Sequence, residues 1–162
     1  MRERLWYELG QVKHNHCYCT FLISRQRRFL NYFNIIILTF SSAGVMGWVI
    51  WKDSPFIACI IVALISLLKL LSPHIVPSDK QIEKLDNVTD FYFDYFNDLE
   101  QIWYDHYNYR ISDQEAQSKF YTLKNTEREI SKIVNEIVKS TNKKIYKKAD
   151  IETRNYLQRI FN

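Results

Sequence analysis

FLNYFNIIILTFSSAGVMGWVIW, residues 29–51, and PFIACIIVALISLLKLLSPHIVP, residues 55–77, decide how this chain is organised. The first carries no charged side chain. At about 1.5 Å of rise per residue, a helix of that length crosses a hydrocarbon core of roughly 30 Å. The second is uncharged over residues 56–68, meets Lys69, and ends at Ser72 and Pro73. Only Lys52, Asp53 and Ser54 separate the two. So short a break cannot carry the chain back across a bilayer. The expected form is a tight transmembrane hairpin with both chain ends on one side.

The side follows from charge. Arg2, Arg4, Lys13, Arg25, Arg27 and Arg28 outnumber Glu3 and Glu8 before the first span, and Arg25, Arg27 and Arg28 abut it. Basic residues next to a span stay cytoplasmic, and Lys80 and Lys84 after the second span agree. A secretory signal would place its apolar segment at the start, so residues 29–51 read as a retained anchor. With three Gly and three Pro in 162 residues, the chain has few turn-formers and should be mostly long helices. The expected fold class is therefore an all-α membrane protein. Residues 1–28 form a cytoplasmic amphipathic helix, 29–77 the two-span hairpin, and 78–162 a cytoplasmic antiparallel helical hairpin. Cys17, Cys19 and Cys59 are odd in number and divided between cytoplasm and membrane, so no structural disulfide is expected.

Within residues 1–28, Leu5, Leu9, Val12, His16, Cys19 and Ile23 recur at spacings of three and four, one face of a helix. That face is narrow and partly polar. It needs a partner helix, which the tail supplies. His14, His16, Cys17 and Cys19 are ligand types that zinc accepts. His16 and Cys19 lie one turn apart and are weak candidates to share an ion, but one continuous helix cannot aim all four side chains at one metal. No metal or other cofactor is expected.

Inside the first span, Ala43, Gly44 and Gly47 offer a small-residue face on which helices in lipid approach closely, within one hairpin or between subunits. Trp48 and Trp51 sit near the outer interface. Lys69 is the one charge between the flanks of either span. It either snorkels along its stem to the inner headgroups or lines an aqueous path.

After Pro77, Ser78 and Asp79 start a helix that should run to about Tyr109, with Ile82, Leu85, Val88, Tyr92, Tyr95, Phe96, Leu99, Ile102, Trp103 and Tyr107 inward. Asp86, Asp90, Asp94 and Asp98 recur at every fourth position and form an acidic ridge. Three readings fit it: a solvated face, a partner for the basic segments, or an acidic vestibule at a pore mouth. A nucleic-acid surface does not fit. Residues 108–112 make a turn, and a second, antiparallel helix begins at Asp113 with Ala116, Phe120, Leu123, Glu127, Ile130, Val134, Ile137 and Thr141 in heptad spacing. From Asn142 the end is basic, with Tyr156, Leu157, Ile160 and Phe161 as an apolar patch. It is expected to touch anionic headgroups or to be solvated.

No phosphate-binding loop, nucleophile elbow, zinc-protease or kinase motif occurs, so no enzyme is expected. The layout resembles the SLATT family, small bacterial two-transmembrane effector proteins of conflict and anti-phage systems. The resemblance is carried by the amphipathic start ending in Arg25-Gln26-Arg27-Arg28, by the hairpin of residues 29–77 with Gly44-Val45-Met46-Gly47-Trp48, and by the long helical tail. It implies an inner-membrane effector that forms homo-oligomers and permeabilises or depolarises the lipid bilayer under the control of a separate sensor or nucleotide-related partner. The alternative is a membrane-anchored interaction protein whose helices dock a soluble partner without making a pore.

Overall fold

The computed structural model describes residues 1–50, 55–138 and 141–161, with side-chain surroundings for all of these except 40–50, 55, 57, 58 and 161. Every regular element among them is helical: α1 Arg2–Ile50, α2 Pro55–Ile75, α3 Asp79–Tyr107, α4 Asp113–Ile137 and α5 Lys143–Phe161. They fall into two units, Met1–Ile23 with Glu83–Asn162, and Ser24–Ile82.

The first unit is a four-helix bundle made from the start of α1 and most of α3, with all of α4 and α5. Side-chain pairs give the directions. Trp6 meets Trp103 at 6.2 Å and His16 meets Phe93 at 5.7 Å, so α3 runs antiparallel to α1. Arg4 donates to the Tyr121 hydroxyl at 2.8 Å and Lys124 to Glu8, so α4 runs parallel to α1. His14 packs on Tyr146 at 4.5 Å and the Lys13 ammonium lies 3.7 Å from the Tyr156 ring centroid, so α5 is antiparallel again. Leu5, Leu9 and Val12 of α1, Leu85, Val88, Tyr95 and Leu99 of α3, Phe120 of α4 and Ala149 of α5 form the buried centre.

Each helix boundary in the tail has a local cause. At the start of α3, Ser78 Oγ accepts from the Gln81 N–H at 3.3 Å while Gln81 Oε1 accepts from the Ser78 N–H at 3.1 Å, a reciprocal capping box. At its end, Tyr109 adopts φ 57°, and the N–H groups of Arg110 and Tyr109 return to the carbonyls of Asp105 and His106. That left-handed closure stops the helix at Tyr107 and begins the turn. Ser112 caps α4 through the Glu115 N–H. Asn142 Oδ1 accepts from the N–H groups of Lys144 and Ile145 and starts α5, while its own N–H donates to the Tyr18 hydroxyl at 3.1 Å.

Two expectations are corrected here. Residues 78–162 do not stop at a helical hairpin, because the basic end forms α5 and packs into the bundle. Ile145, Ala149 and Thr153 repeat every fourth residue as a stripe of modest volume, and all three are buried. The stripe is short and the surrounding lysines mask it. The heptad of α4 also ends early, at Ile137, so Thr141 lies between α4 and α5.

The second unit holds the C-terminal part of α1, α2 and the beginning of α3. Among the described residues one helical stretch, Cys59–Tyr107, is long and apolar enough to cross a membrane, and none of its apolar window is buried. The backbone leaves the helix at residues 76–78, so the apolar part belongs to α2. On α1, Phe29, Tyr32, Ile35, Ile36 and Leu38 are likewise exposed. The break at residues 52–54 lies outside the described residues.

Candidate functional site

The membrane-length part of α2 presents Phe56, Ile60, Leu64, Leu67, Leu70 and Ile75, each at least 44% exposed. Lys69 is exposed on the same helix. Pro73 lies in its last turn, where the N–H it lacks leaves a carbonyl one turn earlier without its helical partner. Ala43, Gly44 and Gly47 lie in α1, but their surroundings, with those of Trp48, fall outside the described residues, as does Trp51 altogether. Arg25, Arg27 and Arg28 are exposed, and Arg28 Nε donates to the Ser24 carbonyl at 3.1 Å.

The acidic ridge divides. Asp90, Asp94 and Asp98 are exposed on α3, whereas Asp86 is half-buried and has a partner. No described ion pair ties Asp90, Asp94 or Asp98 to the basic residues of α1 or α5. Asp90 is close enough to His16 to favour its protonation, but burial and Lys13 outweigh it and the His16 pKa falls below its ordinary value.

The four possible metal ligands are placed apart by the bundle. Cys17 and Cys19 are buried, and His14 and His16 are half-buried against Tyr146 and Phe93. Among the described residues no group of three His, Cys, Asp or Glu side chains converges on one point. Burial pushes the Cys19 thiol up to about 12 and raises that of Cys17 as well. Both are therefore protonated at neutral pH, the state that neither attacks an electrophile nor binds a metal well.

Sequence reading passes over two features. The first is a charged knot inside the bundle. Glu8, whose side chain is 9% exposed, accepts from Lys124, which also reaches Glu127 at 3.1 Å. Burial alone would lower the Lys124 pKa, but the two carboxylates together raise it. Glu8 sits between the inward residues Leu5, Leu9 and Val12, and that position was the available signal. The second is a cavity of about 880 Å³ between α1, α3, α4 and α5. Trp6, Tyr7, His14, Tyr18, Tyr92 and Tyr146 supply its rings, with Glu3, Gln11, Asn15, Asp150 and Thr153 among its polar groups. Burial holds the Tyr92 hydroxyl protonated by moving its pKa up to about 12. Nothing in the sequence brings these residues together, since they come from four helices.

Fold and site together define an all-helical protein that joins a four-helix bundle to a membrane-length apolar helix. Comparison with protein-family models, curated proteins and solved structures yields no match.

Proposed function

We propose that this chain is an inner-membrane effector of the SLATT type, in which residues 29–51 and 55–77 cross the bilayer as a hairpin and both termini are cytoplasmic. The observation that carries the reading is α2. Nine of its large aliphatic and aromatic side chains are 40–76% exposed, while the bundle has a core of its own. At about 1.5–3 kcal/mol for each such side chain, leaving them half in water forfeits on the order of 10 kcal/mol. That is as large as the whole stability of an ordinary domain. Lipid is the cover that a helix of this length fits.

In this reading, hairpins associate through Ala43, Gly44 and Gly47, Lys69 lies along the path, and a separate protein decides when the lesion opens. The test is a voltage-sensitive dye in cells that produce the protein in a growth-arresting form. Depolarisation that precedes arrest, and is lost with Gly47→Leu, is the expected result. Arrest with an undisturbed potential overturns it.

A second reading, a membrane-anchored docking module, draws on one observation. At one end of the bundle Tyr104, Tyr107 and Tyr109 are 50–83% exposed, with Arg2 and Arg110 stacked on them. Exposed Tyr and Arg are the side chains that dominate protein interfaces. It predicts a co-purifying partner that Tyr107→Ala releases and Gly47→Leu does not.

A further inference from the structure

We propose that the cavity between α1, α3, α4 and α5 is a binding site for an organic cation, a positively charged amine or quaternary ammonium on a compact apolar body. Its volume of about 880 Å³ lies within the range that holds small-molecule ligands. Its charge decides the class of ligand. The acidic side chains among its described lining are Glu3 and Asp150, and neither Lys nor Arg joins them there. Among the described lining a phosphate, carboxylate or sulfonate meets no Lys or Arg, whereas a cation meets the carboxylate of Glu3 and that of Asp150, which Arg154 also pairs.

The rings point the same way. Elsewhere in the bundle the chain covers its aromatic faces with its own cations: Arg4 over Phe120 and Tyr121, Lys13 over Phe96 and Tyr156, Lys148 over Phe21. None of the described cation–ring contacts falls on Tyr7, Tyr18, Tyr92 or Tyr146, all of which line the cavity. His14 packs on Tyr18 and Tyr146, and no described cation lies over any of the four rings, whose faces carry the negative potential to which a cation is drawn. Lys13 and Lys148 are thus committed to other rings. Asp150 pairs with Arg154 at 2.5 Å, an exposed contact between neighbouring turns of α5 that solvent weakens, so a ligand cation can compete for the carboxylate. Tyr146 packs on His14 at 4.5 Å and remains half exposed, which leaves it at the mouth of the cavity.

The experiment uses the full chain in detergent micelles, labelled with 3-fluorotyrosine and followed by ¹⁹F NMR. Benzyltrimethylammonium is the cationic probe and benzenesulfonate, of similar shape and opposite charge, its control. Expected are saturable shifts with the cation, none with the sulfonate, and an affinity about fourfold lower in Tyr146→Leu, as a half-exposed cation–ring contact implies. Tyr146→Phe keeps the ring and should bind within about twofold of the wild type, which separates loss of the π face from loss of fold. Asp150→Asn should also weaken the cation. The proposal is overturned if the sulfonate binds as tightly as the cation or the cation shows no saturable binding. It is equally overturned if neither Tyr146→Leu nor Asp150→Asn changes the affinity while circular dichroism shows the helices intact.

Discussion

Cutting the knot at Glu8 and Lys124 from its two sides should give unequal results. Lys124→Met removes the cation that serves both Glu8 and Glu127, whose side chains are 9% and 18% exposed, and leaves two carboxylates close together in a poorly hydrated site. Breaking a buried pair in this way costs about 3–5 kcal/mol. The Lys124 side chain is 38% exposed, so solvent already weakens the pair and the lower end applies, about 3 kcal/mol. Glu8→Gln is different. It keeps an acceptor of the same shape for Lys124, which still has Glu127 and water, so only the charge part is lost, about 1 kcal/mol. The assay is thermal unfolding by circular dichroism in detergent, where 3 kcal/mol should lower the midpoint on the order of 10 °C and Glu8→Gln only about a third as much. If the glutamate variant loses as much as the lysine variant, or Lys124→Met unfolds with the wild type, the knot is not a desolvated charge pair that fixes α1 against α4.

Three other outcomes follow from single residues. Tyr95 is 2% exposed and its hydroxyl has no hydrogen-bond partner, so Tyr95→Phe should leave stability unchanged or raise it by about 1 kcal/mol in the same melt. Gly10 sits in mid-helix, and a Cβ there would meet Leu157 Cδ1 at 3.7 Å, an ordinary contact; Gly10→Ala should stabilise by about 0.5–1 kcal/mol, and a loss would mean that α5 packs closer. Because the folded pKa of His16 lies below 6.5, the unfolded chain takes the proton first. Stability is then complete above that value and declines as pH falls from 6.5 through the folded pKa, a decline that His16→Gln should flatten in denaturant titrations at stepped pH.

The bundle's inward faces were legible because helical spacing reports which side of a helix is apolar. Leu5, Leu9, Val12, Cys19 and Ile23 are buried on the face read from α1, with His16 half-buried. On α3 Ile82, Leu85, Val88, Tyr92, Tyr95, Phe96, Leu99 and Ile102 are buried, Trp103 is half-buried, and Tyr107, read as inward, is exposed where the helix ends. Spacing does not report what lies across from a face. The pairing of Glu8 with Lys124 joins residues 116 apart, and the cavity gathers side chains from four helices. Neither leaves a periodic trace. Helix α5 was obscured for another reason: its buried stripe consists of Ile145, Ala149 and Thr153, too small and too polar to stand out among six basic residues, Lys143, Lys144, Lys147, Lys148, Arg154 and Arg159.

The bundle is built from residues 1–23 and 83–162, which the apolar segment separates in sequence. The contacts of Arg4 with Tyr121 and of Tyr18 with Asn142 span 117 and 124 residues. During synthesis, then, Leu5, Leu9 and Val12 leave the ribosome long before any of their partners, and the membrane-length helix emerges while that face is still bare. Closure of such long loops is slow, and an uncovered apolar face invites association in the meantime. Anything that stops the ribosome before Ala149 has emerged should leave a membrane-length apolar segment tethered to an unfinished bundle. Translation through α5 is therefore itself a checkpoint for this bundle.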